Sequence, residues 1–431
     1  MNSQYPQKIY VELTTRCNLQ CPMCLKFSEG NCIEEGDLPL AVFKKLAPSL
    51  SHTEFLVLNG IGEPLLHPDL DEMIAIARAA MPVDARIAFQ SNGLLLTQNR
   101  ALRLVQAGLD TICLSLDDLD AAKSSEYNQG GHQVSAVTRA IANLLHAGTI
   151  AQKNIRIGIE VVLQKKTLPQ LQDIVVWANE HQVDFIIASH LFSYDGSLTD
   201  QSLFNPNSYE ATQLFSKWEA AAQAQGVQLA NLPAAQIKFA KNEAETRIVQ
   251  IGDAMRQEAK EKNLLLHLPN LVEHSERDMG EVETLFAKAQ SLAHTLGIDL
   301  FLPPLYAQEN GQRTCPFIDE EAVFIDKNGN VMPCHFLWHT CPSRVNQSAI
   351  QVNQHVFGSI VETSLEDIWR KAEYAAFRAE TGQKEYAPCW SCTAAPCGDL
   401  INTNILDMHD CFGSHVPCGH CMWSIGWLKC L

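Results

Sequence analysis

The chain has 431 residues, 46% of them hydrophobic, with 32 lysines and arginines against 49 aspartates and glutamates and a formal net charge of −17. That length suits two domains or a large barrel with an appendage, and the acidic balance argues against a nucleic-acid binder, which needs a basic face. The opening MNSQYPQKIY has no apolar signal-peptide core, and no segment is apolar for the about eighteen residues a membrane span needs, so the sequence reads as cytoplasmic with no membrane partner.

Six apolar runs come first in chain order: KIYVELT (8–14), EFLVLNG (54–60), DARIAFQSNG (84–93), TICLSLD (111–117), NIRIGIEVVL (154–163) and VDFIIASHL (183–191). Segments such as LDEMIAIARAA and LPQLQDIVVWANEH lie between them, with apolar residues recurring at three and four. Nearly continuous apolar strands alternating with helices predict an α/β fold, a partial (β/α)6 TIM-like barrel, with functional residues at the C-terminal strand ends. Residues 1–195 are assigned to this core. A helix-rich extension follows over 196–312, with helices expected at about 207–225, 242–262 and 276–295. The phrases GVQLANLP (226–233), NLLLHLP (263–269) and GIDLFLP (297–303) suggest duplicated helix–strand units. Residues 313–431 are Cys-, Pro- and Gly-rich, as in a small domain held by metal rather than by a large core.

Fifteen cysteines in a reducing compartment point to metal or redox chemistry rather than to disulfides. Cys17, Cys21 and Cys24 stand at C-x3-C-x2-C spacing directly after the first predicted strand. Structural zinc takes four ligands, often from two separated C-x2-C pairs, and nothing in the spacing recommends Cys32 as a fourth. Three thiolates suit a [4Fe–4S] cluster with one iron open to a ligand. Cys113 lies inside a strand and reads as a small buried hydrophobe.

This arrangement resembles the radical S-adenosylmethionine (SAM) superfamily, whose open iron binds the methionine moiety of SAM and whose cluster cleaves it to a 5′-deoxyadenosyl radical. Met23 departs from the aromatic residue more usual before the third cysteine. LNGIGEPLLHP (58–68) resembles the family's Gly-Gly-Glu-Pro stretch, with Ile61 in place of the first glycine. The resemblance implies that Gly62 allows close backbone approach and that Glu63 accepts from SAM's ammonium. It also places Ser91, Ser115 and Asp117 near SAM's carboxylate and ribose, although serine and aspartate equally suit capping. The residue types identify no proton acceptor, so the catalytic residues are left unassigned.

Ten further cysteines follow residue 314. Cys315 and Cys334 frame a hairpin with DKNGN at its turn. The pattern resembles the opening of the SPASM domain, a module holding one or two auxiliary [4Fe–4S] clusters. Cys389, Cys392, Cys397, Cys411, Cys418, Cys421 and Cys430 follow, rearranged from the usual SPASM spacing, so their pairing stays open. Cys341 is the first choice for a spare. A zinc ribbon of Cys389, Cys392, Cys418 and Cys421 is the competing reading. His335, His339, His409, His415 and His420 read as plain loop residues. The tail DCFGSHVPCGHCMWSIGWLKCL, with GDLPL (36–40), LGIDLFLPPLY (296–306) and CPFI (315–318), resembles maturases encoded beside tungsten-dependent aldehyde:ferredoxin-oxidoreductase-type enzymes.

The resemblance implies a SAM-cleaving maturase that abstracts hydrogen from a peptide, a protein or a protein-bound cofactor. A tungsten-type oxidoreductase is one candidate partner and a ferredoxin or flavodoxin the reductant. With Cys17 so near the start, no room is expected for an N-terminal leader-peptide-binding domain. A radical SAM enzyme acting on a small metabolite or tetrapyrrole is the alternative. A non-catalytic iron–sulfur electron-transfer or zinc-ribbon scaffold is the alternative of another class.

Overall fold

All six apolar runs form strands, each shorter than its run: β1 (Lys8–Val11), β2 (Phe55–Val57), β3 (Arg86–Ser91), β4 (Thr111–Ser115), β5 (Arg156–Leu163) and β6 (Phe185–His190). They pair in parallel in chain order. Helices α1 (Leu70–Ala80), α2 (Gln98–Ala107), α3 (Gln133–Ala151) and α4 (Leu171–Glu180) cross between successive strands from β2 to β6, completing the partial barrel. The computed structural model describes residues 4–120, 133–274, 279–308, 313–346, 348–392, 395, 409–429 and 431. Local chemistry sets the helix ends: Thr97 caps α2 by accepting from the Arg100 N–H, and Gly108, at φ 119°, ends it.

The sheet continues past these six strands and crosses the sequence divisions at 195 and 312. On one side β7 (Asp299–Phe301) runs parallel to β6. On the other, β8 (Ala322–Ile325) pairs in parallel with β1 and turns back as antiparallel β9 (Asn330–Met332). Asp326 shapes that turn by accepting from the N–H groups of Asn328 and Asn330, and Gly329 supplies the positive φ of 82°. A separate hairpin of β10 (Cys341–Val345) and β11 (Ser348–Val352) follows, then β12 (Gly358–Ser359), which pairs with β9. Helices α9 (Leu365–Arg370) and α10 (Ala372–Gln383) come after it.

In the extension the structure forms α5 (Tyr209–Gln223), α6 (Glu243–Glu261), α7 (Leu268–His274) and α8 (Met279–Leu296). The expected duplication of helix–strand units is corrected here. Of the three similar phrases only 297–303 provides a strand, β7. The phrase at 226–233 becomes a 3-10 turn leading into a short helix, and the one at 263–269 runs into α7. Shared leucines fix burial but not backbone geometry. Helices α5 to α7 have their own apolar centre around Phe215, Leu232, Ile251 and Met255. Helix α8 instead buries Phe286, Ala289 and Ala293 in the main core.

Strand alternation separates two interiors. Ile9, Leu56, Ile87, Phe89, Ile112, Ile157 and Ile186 face the helices. Tyr10, Val57, Ala88, Cys113 and Phe185 fill the inside of the barrel, so Cys113 is buried as its sequence context suggested. Gly158 occupies the same inner layer, and a Cβ there would stand 2.2 Å from the Phe185 ring. Among the described residues no helix is long and apolar enough to cross a membrane. Gly158→Ala should therefore cost about 1–3 kcal/mol through overpacking, read as a lowered urea midpoint with unchanged m-value. An unchanged midpoint would show that the inner layer is looser than described.

Candidate active site

The loop after β1 is fastened at several points. Arg16 makes a two-pronged pair with Asp37, at 2.9 and 2.5 Å, and the Thr14 hydroxyl donates to the same carboxylate at 2.7 Å. Asp37 belongs to GDLPL, which accounts for that phrase. Inside the loop the Lys26 ammonium, nearly buried, donates to the Thr15 carbonyl at 2.7 Å and to Glu35 at 2.6 Å. These anchors present Cys17, Cys21 and Cys24 to one cavity of about 350 Å³. Burial raises all three thiols, Cys21 to about 12 with Asp117 adding to it. The Leu19 N–H donates to Cys17 Sγ at 3.4 Å, a contact that favours the thiolate.

Every residue expected near SAM lines the same cavity: Gly62, Glu63, Ser91, Ser115 and Asp117. Two of them have structural work that the sequence did not reveal. A Cβ on Gly62 would stand 2.3 Å from the Thr14 carbonyl and 2.6 Å from that of Arg16, so this glycine seats the strand end against the cysteine loop. Glu63, 3% exposed, already accepts from the Ser91 hydroxyl and the Asn92 N–H, both at 2.8 Å, and from the Leu65 N–H at 3.0 Å. A carboxylate has about four acceptor sites, which leaves one for a donor from the cavity. Asn92 ties this group to the loop by donating to Asn18 at 2.8 Å.

Asn59, Gln90 and Glu160 also line the cavity and were missed from sequence. Each stands two residues beyond an inner-layer residue (Val57, Ala88 and Gly158), so the two-residue period places them one level higher on the same side. Asn59 Nδ2 donates to Gln90 Oε1 at 2.8 Å, and Gln90 Nε2 donates to Glu160. Asp117 Oδ1 accepts the Val162 N–H at 2.9 Å. Burial pushes Asp117 up to about 6; burial, with Asp117 beside it, pushes Glu160 up to about 8.

The C-terminal region supplies the opposite wall through His335, Trp338 and Trp423. The reading of His335 and His339 as plain loop residues is corrected by their burial. The His335 ring stands 4.6, 5.2, 5.1 and 4.9 Å from those of Tyr10, Phe317, Phe324 and Trp338. His339 meets Glu12 Oε1 at 2.9 Å, where the carboxylate also accepts the Ile61 N–H. His420 is likewise fully buried. Behind this wall, burial raises Cys418 and Cys421 well above the usual thiol range, with Cys315 and Cys334 adding to it as neighbours. Cys389 packs against this group: a Cβ on Gly419 would stand 2.8 Å from its sulfur. Cys392 is half-buried, Cys411 is exposed, and Cys341 is buried beside Leu25 and Ile61, near the front loop. Cys397 and Cys430 lie outside the described residues.

Residues 11–171 match the model of the radical SAM superfamily, and residues 315–393 match SPASM, an iron–sulfur cluster-binding domain. Over 421 residues, 96% of this chain and 94% of the relative, the chain is 25% identical to the tungsten-containing aldehyde ferredoxin oxidoreductase cofactor-modifying protein of Pyrococcus furiosus. It is 32% identical to the GTP 3′,8-cyclase of Chlorobaculum tepidum over 34% of this chain and 43% of that one. The structure of Streptococcus suis SuiB bound to S-adenosylmethionine aligns with a TM-score of 0.49 and 14% identity, covering 90% of this chain and 71% of that one.

The buried carboxylate gives a pH-dependent prediction. Glu160 holds its proton up to about pH 8 in the fold but releases it near 4.5 when unfolded. Between those values the folded state binds the extra proton, so this group lowers stability as pH rises. Glu160→Gln removes the penalty. The melting temperature of the metal-free variant should exceed the wild type's by a margin that grows from pH about 5 to pH about 8.5, and a constant or shrinking margin would contradict this placement.

Proposed function

We propose that this chain, which belongs to the radical SAM superfamily and carries a SPASM domain behind its core, cleaves SAM reductively at the Cys17–Cys21–Cys24 site to modify a peptide, a protein or a protein-bound cofactor. The observation that carries the reading is the convergence of three unbridged thiols and the Glu63–Ser91–Asn92 network on one cavity. The donor set fits a [4Fe–4S] cluster: three sulfurs from one loop, one already receiving an N–H, and no fourth cysteine among the described residues lining the cavity. When bound, cluster and SAM supply a 5′-deoxyadenosyl radical that takes a hydrogen atom from the substrate.

The chain's own residues orient and enclose. Glu63 offers its remaining acceptor site to an ammonium, and Ser115 and Asp117, at the end of β4, offer oxygen to hydroxyl groups. Trp338, Trp423 and His335 wall the cavity with rings, giving an apolar side to the bound groups. We assign Cys315, Cys334, Cys418 and Cys421 to one auxiliary cluster, because Cys418 and Cys421 each have both hairpin thiols as neighbours behind that wall. Cys389 and Cys392 then belong to the second group, with Cys411, Cys397 and Cys430 as the other candidates. Similarity to the cofactor-modifying protein along nearly the whole chain supports the cofactor of a tungsten-type oxidoreductase as the substrate to test first, with that oxidoreductase as the partner. A ferredoxin or flavodoxin would deliver the electron.

Anaerobic protein reconstituted with iron and sulfide, then given SAM and dithionite, should release 5′-deoxyadenosine and methionine. Cys24→Ala should abolish this while keeping the auxiliary iron, whereas Cys418→Ala should lose the iron of one auxiliary cluster and keep the front one. Fully loaded wild-type protein that forms no deoxyadenosine would overturn the reading.

A further inference from the structure

We propose that the floor of the cavity is a receptor for a protonated amine or guanidinium of the substrate, with Glu160 as its counter-charge and Asn59 as a second acceptor. The inference rests on the functional reading above and adds the chemical class of the group that enters.

The floor's hydrogen bonds run in one direction. Gln90 turns its Nε2 toward Glu160, which accepts from it. Its Oε1 therefore faces Asn59 and takes the Asn59 Nδ2 proton at 2.8 Å. Both amide side chains commit N–H groups to this chain, and Asn59 Oδ1 is left buried with no partner, on a residue only 9% exposed that lines the cavity. A buried acceptor without a donor costs free energy that a ligand N–H recovers.

Charge points the same way. Among the described residues no Lys or Arg lines the cavity, while Glu63, Asp117 and Glu160 all do. Glu63 is occupied by its own donors. Asp117 has one backbone N–H and the charge of Lys166, which does not line the cavity. Glu160 has Gln90 and the unfavourable neighbour Asp117. An entering cation favours the ionised form of Glu160, which releases its proton to pair with it, and two neighbouring acidic groups with no Lys or Arg in the described lining disfavour a phosphate or carboxylate. Above them, Trp338, Trp423 and Tyr194 give aromatic walls to the stem behind such a head group.

The test uses the reconstituted protein saturated with SAM, so that SAM's own charges are already placed, and follows n-butylammonium, n-butylguanidinium, butyrate and pentanol by calorimetry or ligand-observed NMR. At least one of the two cations should bind, and butyrate and pentanol should not. Glu160→Gln should weaken the cation at least tenfold, Glu160→Asp should keep part of the affinity, and Asn59→Leu should weaken it less than Glu160→Gln. SAM affinity is measured on each variant. Three results would overturn the proposal: neither cation binds, the cation binds Glu160→Gln as well as wild type, or Glu160→Gln loses SAM in parallel, which would assign Glu160 to SAM. None of these measurements needs SAM cleavage, so a failure here is separable from a failure of the functional reading.

Discussion

The parallel pairing of β8 with β1 is the contact on which the site depends. An open barrel sheet leaves β1 with an unpaired edge, and an exposed edge strand invites association with other chains. Here the edge is covered by the hairpin that begins at Cys315 and ends at Cys334. On its C-terminal side β1 leads into the cysteine loop through Glu12, which clasps His339 across the joint. Closing the edge therefore also brings His335, Trp338 and Trp423 over the cavity, with the Cys315–Cys334–Cys418–Cys421 group just behind them.

This arrangement brings the two cysteine regions to one aromatic wall although nearly 300 residues separate them in sequence. His335 follows Cys334 directly, and Trp423 lies two residues beyond Cys421, so the aromatic cover of the front cavity and the thiols behind it share the same short turns. Small shifts in either turn would be felt on both sides. The extension contributes differently: α8 packs into the main core and leads to β7, while α5 to α7 build a separate apolar centre.

Much of this was legible in the sequence because it rests on periodicity and on cysteine spacing. The six strands, the helices between them and the DKNGN turn follow local rules, and C-x3-C-x2-C after a strand specifies its site compactly. The polar level inside the barrel was equally present and went unread. Glu12, Asn59, Gln90 and Glu160 are polar residues within or at the end of apolar runs, each two positions past an inward residue. Alternation alone would have stacked them. The engagement of Glu63 by Ser91 and Asn92, the seat that Gly62 makes for the cysteine loop, and the pairing of Cys418 and Cys421 with the hairpin thiols depend on contacts between distant segments. One sequence does not encode those legibly. Repetition misled in the extension, where similar leucine phrases folded into a turn, a helix and a strand.

The most direct test of the account is electron paramagnetic resonance of the reduced, fully loaded protein before and after SAM is added. The account predicts that SAM shifts one cluster signal, that this signal is absent in Cys24→Ala, and that the auxiliary signals stay where they were. If SAM moves no signal, or if the SAM-sensitive signal survives in Cys24→Ala, the three-thiol site is not where SAM binds and the account is wrong.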